Sequence, residues 1–163
     1  MNGQDQEVAP GESGELWIGG PMVVPGYWNN PEATAKGFAE GCWRSGDLGS
    51  KDTQGLVRIF DRIKDMINRG GYKIYSVEVE NALMALPGVV EAAVVGHPCP
   101  VLGERVHAYV YAPKATLDAA AVKAHCAVRL ADYKVPEQVV FTDQPLPRNP
   151  NGKLLKRSLR QTA

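Results

Sequence analysis

Lys153 closes the run Pro147-Arg148-Asn149-Pro150-Asn151-Gly152-Lys153, a proline-punctuated loop whose glycine frees the backbone just before a cation. An ammonium carried there can be brought against anions that gain charge as they react. Asp47 stands in Ser45-Gly46-Asp47, where the glycine lets the chain turn and present a carboxylate. A carboxylate accepts hydrogen bonds from two neighbouring hydroxyls, which suits a ribose diol. Arg62 offers a fixed cationic fork suited to phosphate, and Gly70-Gly71 bares two peptides in succession to another molecule. On spacing alone each feature also has a plain structural role: a solvated lysine, an Asx turn or helix cap, a surface arginine, a glycine turn.

These residues need elements to hold them, and Asp61 to Glu80 supplies the organising stretch. Asp61-Arg62-Ile63-Lys64-Asp65 is too polar for a buried strand and reads as an exposed connection. Tyr72 to Tyr75 alternates as a short strand, and Ser76 is placed to cap a helix with Glu78 and Glu80 in its first turn. Val79, Ala82, Leu83 and Leu86 give that helix one apolar face, and Pro87-Gly88 stops it. Upstream, Glu15 to Ile18 and Leu56 to Phe60 read as strands, with a short helix from Asn30. Downstream, Val89 to Val95 and Val106 to Tyr111 are strands separated by a loop, His97 to Arg105. Leu117, Ala121, Ala124 and Val128 predict an amphipathic helix over Leu117 to Leu130. Val139 to Phe141 is a third strand, and Leu154 to Gln161 a basic helix.

Three signatures in fixed order carry a family resemblance: WRSGDL at Trp43–Leu48, DRIKDMINRGGYKIYSVEVE at Asp61–Glu80 and LPRNPNGK at Leu146–Lys153. With GELWIGGPMVVPGYWNNPEAT at Gly14–Thr34, the sequence resembles the C-terminal portion of the adenylate-forming enzymes, the acyl-CoA synthetases and their relatives, over nearly everything after residue 13. The resemblance implies an α+β fold: a small C-terminal lid domain, 62–163, with a three-stranded sheet flanked by helices plus a short hairpin. A β-rich edge of the large domain, 14–61, precedes it, behind a mobile leader, 1–13. It implies roles as well. Lys153 becomes the adenylation lysine and a candidate acetylation target, Asp47 and Arg62 bind the nucleotide ribose, and Lys64 is the hinge. Gly70 and Gly71 line the tunnel for a phosphopantetheine arm. Lys64 stands where relatives often carry aspartate, and Lys73 where many carry glutamate, which leaves the contacts of that loop after rotation open.

The implied chemistry joins a carboxylic acid to ATP as an acyl-adenylate, with Mg2+ held mainly by the missing N-terminal part, and then passes the acyl group to CoA. Loading of a carrier protein, or a CoA- or partner-binding module without turnover, are the alternatives. The phosphate loop, the adenine-contacting motif and the acid pocket of the family have no counterpart here. The expectation is therefore a truncated form that is inactive alone and whose partner is the missing N-terminal domain.

Composition excludes other classes. Eighteen basic and eighteen acidic residues cancel, giving no overall attraction to nucleic acid or membrane. No window approaches the roughly 20 apolar residues of a spanning helix. Cys42, Cys99 and Cys126 lack metal or disulfide spacing, which suits reduced thiols in a cytoplasmic protein. No metal site is expected, and His97, His107 and His125 follow no ligand pattern.

Overall fold

Short strands of mixed polarity, separated by glycine-bearing turns, build the first part of the chain. The computed structural model describes residues 1–160, and the chain divides into two units, Met1–Lys64 and Asp65–Ala163. In the first unit, β1 (Gly14–Gly19), β2 (Phe38–Ala39), β3 (Cys42–Lys51) and β4 (Val57–Arg62) form an antiparallel sheet. The long β3 is its spine: β1 runs along one side, and β2 then β4 share the other. Helix α1 (Pro31–Gly37) begins where Asn30 accepts a hydrogen bond from the Ala33 amide, with proline in its first turn. Residues 1–13 lie along this sheet. The Met1 nitrogen donates to the Glu15 carbonyl and the Gly11 amide to that of Lys51, each at 2.8 Å, and Asp5 pairs with Arg44.

One correction falls in this unit. Asp61 and Arg62, read from polarity as connection, are the last two residues of β4, paired with Leu48 and Asp47. Asp61 is buried and accepts the Arg62 amide at 2.7 Å, so polarity here marks a buried acceptor.

The second unit contains β5 (Ile67–Arg69), β6 (Tyr72–Ile74), α2 (Ser76–Met84), β7 (Glu91–Cys99), β8 (Gly103–Tyr111), α3 (Ala119–Ala127), β9 (Gln138–Thr142) and α4 (Lys156–Leu159). Strand β8 is central. It pairs with β7 antiparallel over nine residue pairs and with β9 in parallel, and the β5–β6 hairpin joins at the single pair Arg69↔Gly103. This is the α+β architecture expected, a three-stranded sheet with helices and a short hairpin.

Val106 to Val110 is buried without a break because both faces of β8 are covered. On one face Val94, Val106, Ala108 and Val110 pack with Val79 and Leu83 of α2, Val122 and Cys126 of α3, and Ile67 and Ile74 of the hairpin. On the other, Ala93, Val95 and Tyr109 pack with Leu146 and Leu159. Each buried valine or leucine contributes about 1.5–3 kcal/mol, so the C-terminal segment is held by a core of its own.

Four local expectations change. Ser76 is the first helical residue, not the cap; its hydroxyl is buried and accepts from Lys156 Nζ at 2.7 Å, and Tyr75 occupies the cap position. The strands extend into the expected loop, β7 through Cys99 and β8 from Gly103, since β7 is an edge strand on which Pro98 removes no required ladder bond. The buried face of α3 is Val122 and Cys126, whereas Val128 is exposed. Finally, the C-terminal helix is the short α4, and Gln161, placed by sequence in that helix, lies outside the described residues.

Candidate functional site

Within the first unit the structure brings Asp47 and Arg62 together. Gly46, at φ +71°, lies in a bulge of β3 between the Trp17↔Arg44 and Glu15↔Leu48 pairs. The bulge is pinned at three points: Ser45 Oγ donates to the Leu16 carbonyl at 2.6 Å, the Gly46 amide to Glu15 Oε1 at 3.0 Å, and the Asp47 amide to Ser45 Oγ at 3.0 Å. Such a bulge re-aims a side chain. Here it sets the Asp47 carboxylate opposite Arg62, whose Nε lies 2.9 Å from Oδ1.

Lys64 is exposed and is the last residue of the first unit. In the second unit Gly70 and Gly71 are the two central residues between paired Arg69 and Tyr72, with φ +58° and +87°. Positive φ at both positions is the pattern of the type I′ hairpin turn. A Cβ would meet nothing closer than Leu102 Cδ2 at 3.5 Å from Gly70, and nothing within 4 Å of Gly71. The turn conformation, not crowding, therefore calls for glycine. The Gly70 amide donates to the Leu102 carbonyl at 2.7 Å, tying the turn to the β7–β8 connection.

Lys153 occupies a second hairpin. Asn149 accepts at its side-chain oxygen from the amides of Asn151 (3.0 Å) and Lys153 (2.8 Å), and its own amide donates to the Lys153 carbonyl at 2.8 Å. Arg148 bridges Leu154, and Gly152 takes φ +78°. The Lys153 side chain is exposed, and among the described residues its ammonium has no partner.

The segment that carries Lys153 and the glycine turn are anchored at opposite ends of one ladder. The Lys153 hairpin is fastened at Glu91, which pairs with Tyr111, and the glycine turn at Leu102, beside the last pair Cys99↔Gly103. Eight rises separate those pairs, roughly 27 Å of strand.

Sequence reasoning missed the side chains that clasp the Lys153 segment to the sheet. Glu91 accepts the Leu146 amide at 2.8 Å and approaches Arg148 Nη2 at 3.3 Å. Tyr109 donates to the Leu159 carbonyl at 2.8 Å. Lys156 Nζ reaches Glu80 Oε1 at 2.6 Å, and Glu80 also accepts the Val94 amide at 2.7 Å. The available signal was Leu146, Leu154 and Leu159 flanking an otherwise polar loop, since apolar anchors need a sheet to rest on.

Two of the histidines pack against each other inside the second unit. His97 and His107 are buried and stacked at 4.2 Å, and His97 Nε2 lies 3.2 Å from the Tyr109 hydroxyl. Burial pushes the His97 imidazole below the ordinary histidine range, and Arg160 adds to this against a backbone hydrogen bond at Leu159. His107 is lowered first by burial, then by His97, with Glu137 opposing and Arg105 adding. Among the described residues no group of three or more His, Cys, Asp or Glu is placed to hold a metal, and no helix is long and apolar enough to cross a membrane.

Fold and family agree on the class: these two units form the C-terminal portion of an adenylate-forming enzyme. Residues 78–153 match the AMP-binding enzyme C-terminal domain. A propanoyl-CoA ligase of Rhodococcus jostii, named for a methyl-dioxo-octahydroindenyl propanoate, is 48% identical over 95% of this chain and 30% of its own. Further curated relatives are named feruloyl-CoA synthase and long-chain-fatty-acid–CoA ligase. Among solved structures, ATP-bound MatB from Rhodopseudomonas palustris superposes with TM-score 0.87 at 42% identity, over 96% of this chain and 31% of that one. O-succinylbenzoate coenzyme A synthetase from Bacillus subtilis, in complex with ATP and magnesium ion, gives TM-score 0.87 at 37% identity, over 95% and 32%. Residues 78–153 thus belong to the AMP-binding enzyme C-terminal domain family, and the chain, similar over nearly its whole length to these acyl-CoA ligases, spans about three tenths of their length.

Proposed function

We propose that this chain is the lid-bearing part of an AMP-forming acid–CoA ligase, which joins a carboxylic acid to ATP and then transfers the acyl group from AMP to the CoA thiol. The observation that carries the reading is that the segment of Lys153, whose ammonium has no partner among the described residues, and the glycine turn are anchored at opposite ends of the β7–β8 ladder. With their anchor points roughly 27 Å of strand apart, the two would meet one nucleotide in turn, by rotation of the unit between steps, and the unit division after Lys64 supports that residue as the hinge.

Each residue then has a defined task. Asp47 accepts the ribose hydroxyls, and Arg62 leaves it to face the nucleotide's negative side. The Lys153 ammonium meets the carboxylate and α-phosphate as charge builds on the phosphoryl oxygens, an electrostatic contribution whose loss typically lowers rate 10²–10³-fold. After rotation Gly70 and Gly71 present bare backbone to the pantetheine arm. Mg2+ would neutralise the triphosphate; the described residues provide no cluster to hold it, and none of these tasks runs through it. Three unbridged cysteines fit a reducing cytosol. Carrier-protein loading uses the same arm and remains the second reading, favoured by no separate contact in this unit.

The test is acid-dependent ATP–pyrophosphate exchange. The parent ligase bearing this segment should exchange, and this chain alone should not, because Lys153 and Arg62 would face the phosphates without a phosphate cradle. Exchange absent from the parent with every carboxylic acid class tried, or present in this chain alone, would overturn the reading.

A further inference from the structure

We infer that Glu91 and Arg148 are positioning residues for Lys153, acting as a two-link strut from the sheet to the peptide that precedes the lysine. This rests on the assignment of Lys153 above. The bonds inside the hairpin, from the Asn149 side chain to the Asn151 and Lys153 amides, fix the shape of the turn but not its aim. Its aim depends on what ties it to β7 and β8. After the lysine, the Leu159 carbonyl is held by Tyr109 and the Lys156 ammonium by Glu80 and Ser76.

Ahead of the lysine, the hydrogen bonds and ion pairs that reach β7 converge on one carboxylate. Glu91 Oε2 accepts the Leu146 amide at 2.8 Å, and Glu91 Oε1 faces Arg148 Nη2 at 3.3 Å. The other amino group, Arg148 Nη1, donates to the Gly152 carbonyl at 2.9 Å. One guanidinium therefore spans from the sheet to the peptide bond whose nitrogen belongs to Lys153.

Arginine is the side chain this geometry requires. Its planar fork holds two acceptors at a set angle, whereas a lysine ammonium in the same place would choose between them. Gly152, at φ +78°, is the position where the backbone would otherwise yield, and the strut holds its carbonyl. An ion pair with both partners partly exposed adds little to folding. Its value lies in geometry, because displacement of a reacting group by about 1 Å can cost 10²-fold in rate.

The experiment compares the two half-reactions in the parent ligase for Arg148→Lys, Glu91→Gln, the double variant and Lys153→Ala. Arg148→Lys should lower kcat for pyrophosphate exchange about 10–100-fold with KM for ATP little changed, and should leave CoA thioester formation from preformed acyl-adenylate intact. Glu91→Gln should lower exchange less, and the double variant no further than Arg148→Lys. In this chain alone, hydrogen exchange at the Lys153 amide should quicken in Arg148→Lys while that of Val94 is unchanged. Equal losses in both half-reactions, or unaltered exchange in Arg148→Lys when Lys153→Ala abolishes it, would overturn the inference and leave the function standing. Exchange unimpaired in Lys153→Ala would overturn the assignment and the inference together.

Discussion

Arg62 Nε lies 2.9 Å from Asp47 Oδ1, across paired positions of β3 and β4. Two residues fifteen apart in sequence are thus one device, with the arginine holding the carboxylate that a ribose would take over. Asp47→Ala in the parent ligase should weaken binding of a non-hydrolysable acyl-AMP mimic about 10–100-fold, the loss expected for hydrogen bonds to a charged acceptor. The thermal midpoint should barely move, because a partly exposed pair contributes about 0–1 kcal/mol. Calorimetric titration checks it, and unchanged affinity would remove Asp47 from the nucleotide site.

Gly71 has room for a side chain but a backbone that disfavours one. Gly71→Val should cost this chain about 1–2 kcal/mol from left-handed strain, and Gly71→Asn less, since asparagine tolerates that region. Urea unfolding of the two variants gives the answer. Equal stability of Val and Asn would contradict the turn geometry.

The buried His97–His107 stack makes stability depend on pH. Both imidazoles titrate below their ordinary value when folded, so the unfolded chain takes up protons first as the pH drops. Stability is full above about pH 6.5 and is lost as the pH falls from there through the folded-state values. Arg160, Arg105 and Glu137 face the pair and shape the shift. Urea midpoints between pH 7.5 and 5.0 should decline, and should decline less in His107→Gln.

Much of the fold was legible because the signals were physical. Alternation marked β6, β-branched runs marked β7 and β8, the Asn30-Pro31 pair marked α1, and Val79, Ala82 and Leu83 marked the inner face of α2. What escaped was tertiary. Asp61 looked solvated because nothing local shows that a strand partner buries it, and Ser76 looked like a cap because its true partner, Lys156, is eighty residues away. Helix α3 was turned to the wrong face because its alanines fit any face. Only Val122 and Cys126 could break the tie, and neither was placed on the face read from the sequence. Asp47 and Lys153 were singled out from their motifs, but Glu91 and Tyr109 lie in no motif and become visible only once the sheet exists.

That reassigned face is itself testable. Val122→Ala should cost about 2 kcal/mol, whereas Val128→Ala, on an exposed residue, should cost almost nothing. Denaturant midpoints of the two variants decide it, and equal effects would restore the face that sequence favoured.

The central claim is that one unit serves two steps from opposite ends of the β7–β8 ladder. It is tested most directly by measuring both half-reactions of the parent ligase in Lys153→Ala and in Gly71→Val. The account predicts crossed losses: Lys153→Ala loses pyrophosphate exchange and keeps thioester formation from acyl-adenylate, and Gly71→Val does the reverse. If each variant lost both half-reactions to the same extent, the two ends would be acting in one fixed arrangement, and the account would be wrong.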